Sequence, residues 1–266
     1  MLNRKNMIEV SHLTKHFGAH TAVEDLSFTV GDGEICGFLG PNGAGKSTAL
    51  AMLTGCLAPS GGMIRIAGTD LQKEPERAKA MIGYLPETPP LYDDMTVREY
   101  LDFAARLRRV SKAERTAERE RVTQRLALTG VENRLIRNLS KGYRQRCGFA
   151  QALIGNPKVL VFDEPAAGLD PEQMKNLREL LLEQKEEHTV LISSHNLAEA
   201  AGVCDTLLIL AEGRLAASGS PETILCEFGE ESLVKEARLC TDDTARAALV
   251  QKGLTSVFLK LTGGNT

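Results

Sequence analysis

The stretch EICGFLGPNGAGKSTALAMLTG, residues 34–55, decides the architecture. It opens on a short apolar run that reads as a strand, and it closes on alanine, leucine and methionine, which favour a helix until Gly55 ends it. Between the two, GPNGAGKS (residues 40–47) fits G-x-x-x-x-G-K-[ST], in the strand-before, helix-after context that this pattern requires. Glycines let backbone N–H groups converge on phosphate oxygens and the helix N-terminus adds its dipole. Lys46 supplies a point charge, and Ser47 can ligate Mg2+. The candidate phosphate-binding residues are therefore Gly40, Pro41, Asn42, Gly43, Ala44, Gly45, Lys46, Ser47 and Thr48.

Upstream, MIEVSHL and LSFTV alternate with a period of two, with Leu26, Phe28 and Val30 on one face, and predict small antiparallel strands before the turn GDGE. Downstream, GGMIRIAGTDL returns to a strand, and MIGYLPETPPLYDDM is a short strand that breaks into a proline-rich connector. From Thr96 to about Gly130 the pattern is helical and charged, with Thr96 as N-cap and Glu99 completing a capping box. Within it, RLRRVSKAERTAERERVTQR mixes basic residues with Glu114, Glu118 and Glu120 and carries no aromatic side chain, so it reads as a solvated helix face and not as a nucleic-acid patch. The rest alternates: a buried strand KVLVFDEP, a helix over about 172–186, a buried strand TVLISSH, and TLLILAEGRLAASG as two strands around Glu212 and Gly213. Buried strands alternating with helices mean a parallel α/β sheet. Residues from about Phe228 onward show no clear pattern.

At 266 residues the chain can bury a full core without disulfides. With 42% hydrophobic and 25% charged residues and a net charge of −3, it has the balance of a soluble globular protein, and nothing in it points to nucleic acid. Six scattered cysteines, without a C-x-x-C pair, read as reduced core thiols. The first ten residues lack the apolar core of a signal peptide, and no run is long enough to span a membrane, so a membrane role would come through a partner.

VLVFDEP supplies a second half for a nucleotide site. Its apolar strand presents Asp163 toward a metal, which it would hold through water, and Glu164 beside it can orient or deprotonate an attacking water. ISSH places His195 at the end of the next strand, within reach of a γ-phosphate.

These elements leave the class of nucleotide hydrolase open; LSKGYRQR (residues 139–146) narrows it. Followed by VLVFDEPAAGLDP and then ISSH, it resembles the ATP-binding cassette family, the ATPase subunits of ABC transporters, over about 7–219. The resemblance implies a P-loop NTPase core with a parallel sheet, a small antiparallel β subdomain and an inserted helical subdomain. The nucleotide-binding domain would cover 7–225, with the helical subdomain at about 88–155 and a C-terminal extension over 226–266. It also implies that ATP is hydrolysed with Mg2+ and that two cassettes sandwich two nucleotides head to tail, with Ser140 and Gly142 on the γ-phosphate held by the other subunit. By the same resemblance Asp170 lies in the loop linking the two sites, and Glu87 lies near the metal and the permease. For Phe17, side-chain statistics leave a core position and an adenine-stacking position equally open, and the resemblance implies stacking.

Four positions depart from the family pattern: Lys141 stands for a second glycine, Tyr143 for a glutamine, Ala167 for a threonine or serine, and Glu87 for a glutamine. None removes a P-loop, metal or water-orienting group. The connector from residue 82 onward and the ending SVFLKLTGG resemble the subgroup that energises exporters of the multidrug, polysaccharide and gliding-motility type. The implied partners are a transmembrane permease and a second ATPase subunit, most simply in a homodimer, with no nucleic acid. The implied location is the cytoplasmic face of the membrane. A soluble cassette acting in cofactor assembly or on nucleic acid is the rival reading; the long coiled-coil insertion or second cassette expected of nucleic-acid and ribosome workers does not occur in this sequence.

Overall fold

In the computed structural model, which describes residues 5–240 and 242–263, the chain opens on two long antiparallel strands, β1 (Asn6–Phe17) and β2 (His20–Gly31). They run well beyond the two short segments legible in the sequence because the ladder continues through irregularities. His12 and Asp25 both take positive φ (52° and 51°) where the register shifts, and their side chains meet at 2.7 Å.

The phosphate-loop stretch forms β3 (Ile35–Leu39) and α1 (Lys46–Leu53). Next come β4 (Gly61–Ile66), β5 (Thr69–Asp70), α2 (Pro75–Ala80) and β6 (Ile82–Leu85). Three helices follow, α3 (Val97–Leu107), α4 (Arg115–Arg125) and α5 (Lys141–Leu153). The core resumes with β7 (Val159–Phe162), α6 (Pro171–Gln184), β8 (Thr189–Ser194), α7 (Leu197–Ala201), β9 (Thr206–Ala211) and β10 (Arg214–Gly219). The chain ends on α8 (Pro221–Phe228), α9 (Glu231–Leu239) and α10 (Asp243–Leu261).

These elements form two sheets. The antiparallel one has the order β2-β1-β4-β5, and the larger one has the order β10-β9-β3-β8-β7-β6. In the larger sheet every pair from β9 to β6 is parallel, and only β10 is antiparallel. Its hairpin turns on Glu212 and Gly213, both at positive φ (50° and 77°), as a tight two-residue turn demands.

The central strands feed two hydrophobic cores alternately. Ile35 and Leu39 of β3 join Val190, Ile192, Leu160 and Phe162 on one face, whereas Cys36 and Phe38 join Leu191, Val159 and Val161 on the other. Strands covered on both faces have no polar side to show, so they read as continuous apolar runs.

The inserted helices show one expectation met and one corrected. At α3 the Glu99 amide donates to Thr96 Oγ1 (3.2 Å) and the Thr96 amide donates to Glu99 Oε2 (2.8 Å), forming the expected capping box. The bond from the Thr96 amide, with help from its hydroxyl, holds the Glu99 carboxyl below its ordinary range. The charged face of α4, expected to be solvated, instead fastens the helix to its neighbours. Arg119 pairs with Asp102 of α3 at 2.7 Å, Glu118 accepts from the Gly155 amide at 2.6 Å, and Arg121 donates to the Leu153 carbonyl at 2.9 Å.

The C-terminal segment that lacked a readable pattern is helical. α10 packs against α7, α8 and α9 and buries Val250, Leu254 and Val257 in the first core. The cysteines divide: Cys36, Cys147 and Cys204 are buried as expected, but Cys56 and Cys226 are exposed and Cys240 is half-buried, and none of the six forms a disulfide. The exposed pair sits in the loop after α1 and on α8, where no second layer covers them. Among the described residues no helix is long and apolar enough to cross a membrane.

Candidate active site

The phosphate loop leaves the end of β3 and wraps over the start of α1. Gly43 and Gly45 both take positive φ (85° and 95°), and a Cβ at Gly45 would run into the Ala22 carbonyl, so the loop closes only with glycine there. No side chain caps α1 at Gly45, which leaves its first-turn N–H groups available to an anion. Lys46 is 5% exposed and donates its ammonium to the Gly40 (2.7 Å) and Pro41 (3.2 Å) carbonyls, so it braces its own loop.

The ends of β7 and β8 meet this loop because parallel strands leave the same edge of the sheet. Asp163 is buried, its amide bonded to the Leu85 carbonyl at 2.9 Å. The fully buried Ser193 hydroxyl donates to Asp163 Oδ1 at 2.6 Å and accepts from the Glu164 amide at 2.8 Å. Glu164 itself sits at φ 46°, a region that a non-glycine residue occupies only under constraint, and this hydroxyl and the strand end supply the constraint. Its carboxylate is shared: Oε1 lies 3.4 Å from Lys46 Nζ and Oε2 lies 2.8 Å from His195 Nδ1. Burial, followed by the charge of Asp163, pushes the Tyr84 phenol up to about 12, so Tyr84 stays a neutral hydroxyl behind the acids.

A cavity of about 370 Å3 lies over this chain of contacts. Pro41, Asn42, Gly43, Gly45, Lys46, Ser47, Thr48, Glu87, Glu164 and His195 line it together. Gly40 and Ala44 are buried behind the loop, and Asp163 stands behind Glu164 without lining the space. Sequence reasoning missed four residues here. His20 and Ala22 enter the lining from β2 and Ala167 from the loop before α6, and Ser193 binds both acids. A hydroxyl inside the buried strand TVLISSH was the available signal for Ser193; for His20 there was none.

Phe17 is half exposed, so it is not a core residue, and Lys15 Nζ lies 5.2 Å from its ring; it does not line the cavity. Ser140 and Gly142 line a different cavity of about 440 Å3, which shares no residue with the first. Ser140 caps α5 there, accepting from the Tyr143 amide at 3.4 Å. Asp170 is committed to capping α6 through a reciprocal box with Gln173 (2.9 and 3.4 Å).

For a metal, the donors at hand are the Ser47 hydroxyl and the carboxylates of Asp163 and Glu87. Among the described residues no three histidine, cysteine or acidic side chains converge into a closed cage. A few hard oxygen donors without a cage fit a cation that keeps waters and shares phosphate oxygens, as Mg2+ does.

Comparison with known proteins gives consistent matches. The family model described as ABC transporter matches residues 23–167. The chain is 39% identical over 206 residues to the ABC transporter ATP-binding protein NatA of Bacillus subtilis, covering 76% of this chain and 83% of that protein. It is 37% identical over 222 residues to Nod factor export ATP-binding protein I of Paraburkholderia xenovorans, covering 82% and 72%. Among solved structures, one described as the ATP binding subunit of an ABC transporter superposes with a TM-score of 0.80 at 31% identity, covering 96% of this chain and 99% of that one.

Proposed function

The chain belongs to the ABC transporter family as an ATP-binding subunit of a transport complex, and from that premise we propose that it hydrolyses ATP with Mg2+ as one half of a head-to-tail pair of identical chains. The observation that carries this is the contact chain Lys46–Glu164–His195 along one wall of the phosphate-loop cavity. It joins a phosphate cation, a base and a group that orients the base. The loop amides and Lys46 would bind the β- and γ-phosphates of ATP, with Phe17 at the edge of β1 as the adenine platform. Ser47, Asp163 through water, and Glu87 would hold Mg2+, which when bound neutralises charge on the phosphates. Glu164 would take the proton of the attacking water at its carboxylate, and His195, bonded to Oε2, would keep the other oxygen aimed and reach the γ-phosphate.

That Ser140 and Gly142 line a separate cavity supports a site completed by a second copy, since one chain does not bring its own signature to its own phosphate loop. The pair would drive a separate permease from the cytoplasmic face. Export is the favoured direction, on the likeness to the Nod factor export protein.

Mixing Lys46→Ala chains with Ser140→Arg chains tests the pairing. Each mixed dimer keeps one composite site whole, so the mixture should hydrolyse ATP above either parent. No gain, with both parents folded, would end the two-chain reading.

Glu87 lines the cavity, exposed, where the family resemblance expects an amide. Its negative charge favours a dication and opposes phosphate. Glu87→Gln should therefore keep ATP binding but require more Mg2+ for half-maximal hydrolysis, as a Mg2+ titration at saturating ATP would read. Superposable titration curves would remove Glu87 from the metal.

A further inference from the structure

Lys141 occupies the first position of α5, beside Ser140, where the family resemblance expects glycine. We propose that Lys141 is a positioning residue that ties the signature end of α5 to the loop following Glu164, so that the state of one nucleotide site is transmitted to the other. The proposal rests on the two-chain reading above.

The tie is direct. Lys141 Nζ donates to the Gly168 carbonyl at 2.8 Å, across 27 residues of sequence. Its ammonium is thus given to a backbone carbonyl. The receiving position is matched to it: Gly168 takes φ 67°, and a Cβ there would collide with the ammonium itself.

A neighbour on α5 reinforces the contact. Gln145 donates to the Pro165 carbonyl at 3.1 Å. The first residues of α5 are thus fastened to the loop carbonyls of Pro165 and Gly168.

The two ends of this connection do different work. Its α5 end carries Ser140, which in the two-chain reading meets the nucleotide of the second copy. Its loop end continues back to Glu164, whose constrained backbone and carboxylate serve the chain's own nucleotide. A helix moves as a rigid unit, so a shift of Ser140 on nucleotide contact displaces the Gly168 carbonyl and bears on Glu164 through four residues of backbone. A single hydrogen bond suffices for a several-fold change in a two-state balance.

The test compares the full chain with Lys141→Met, which keeps the stem and loses the donor, and Lys141→Arg, which keeps a donor. Rate is measured against ATP concentration, and ATP-driven dimerisation is followed in the Glu164→Gln background. The parent should be sigmoidal, with a Hill coefficient between 1 and the two-site limit of about 2. Lys141→Met should still dimerise, keep its half-saturating ATP concentration, lose about fivefold in maximal rate and fall to a Hill coefficient of about 1. Lys141→Arg should recover most of both. A Lys141→Met chain indistinguishable from the parent, or a parent that is itself non-cooperative, overturns the proposal. A raised half-saturation with unchanged cooperativity also overturns it, in favour of Lys141 as a direct phosphate ligand. If Glu164→Gln alone forms no ATP-driven dimer, the two-chain reading falls and takes this proposal with it; dimerisation with an unaffected Lys141→Met sinks this proposal alone.

Discussion

Glu164→Gln should retain ATP binding and lose about 10²–10³-fold in kcat. The carboxylate lies between two partners, Lys46 at 3.4 Å and His195 at 2.8 Å, and an amide of the same shape can still accept from the lysine. The backbone that aims it is held independently by the Ser193 hydroxyl, so the side chain stays in place when its charge is removed. What disappears is the capacity to take a proton from water. Binding without turnover should trap the closed pair, visible by size exclusion with ATP and Mg2+ as a dimer that the parent forms only transiently. Phosphate release at near-parent rates would strip Glu164 of its role, and the contact with His195 would then be a structural one.

Lys46→Ala should cut hydrolysis at the parent's half-saturating ATP by about tenfold or more, by a different route, the loss of nucleotide affinity. Charge-assisted hydrogen bonds are worth about 1.5–3 kcal/mol each, so removing the ammonium should weaken ATP binding by about one to two orders of magnitude. The position also has a cost without nucleotide. The ammonium is buried among the Gly40 and Pro41 carbonyls and Glu164, whose side chain is itself only 12% exposed, and alanine leaves those acceptors facing one another. A lowered melting temperature without ATP, together with loss of the rise that ATP gives the parent, is the expected pair of readings. A variant that still shifts its melting temperature on adding ATP would show that the loop amides alone hold the phosphates.

How far the sequence carried depended on how local each signal was. The phosphate loop, the Thr96–Glu99 box and the Glu212–Gly213 turn are complete within a few residues, and each appears where it was read. The alternation of the larger sheet was legible because strands covered on both faces leave nothing polar between their apolar residues. α10 was not legible because it packs against three helices at once and so carries no single apolar stripe. The charges of α4 misled because their partners, Asp102, Leu153 and Gly155, lie on other elements, and charge composition alone does not distinguish an anchored face from a wet one. At the site, the acids and the histidine were each marked by a strand end and the lysine by the glycine-rich loop, whereas His20 arrives from the other, antiparallel sheet.

The alternation of the central strands between two cores also governs how this chain can change in length over evolutionary time. Losing one residue inside β3 would turn every later residue of the strand to the opposite face. Without Gly37, the ring of Phe38 would arrive where even a methyl group would sit 3.0 Å from both Cys204 Sγ and Leu207. Leu39 would leave the core that it shares with Ile192, and the phosphate loop would start from a strand end facing the wrong way. Viable insertions and deletions should therefore fall in the connections, such as the turn between β4 and β5 or the segment between α3 and α4, while the lengths of the central strands stay frozen.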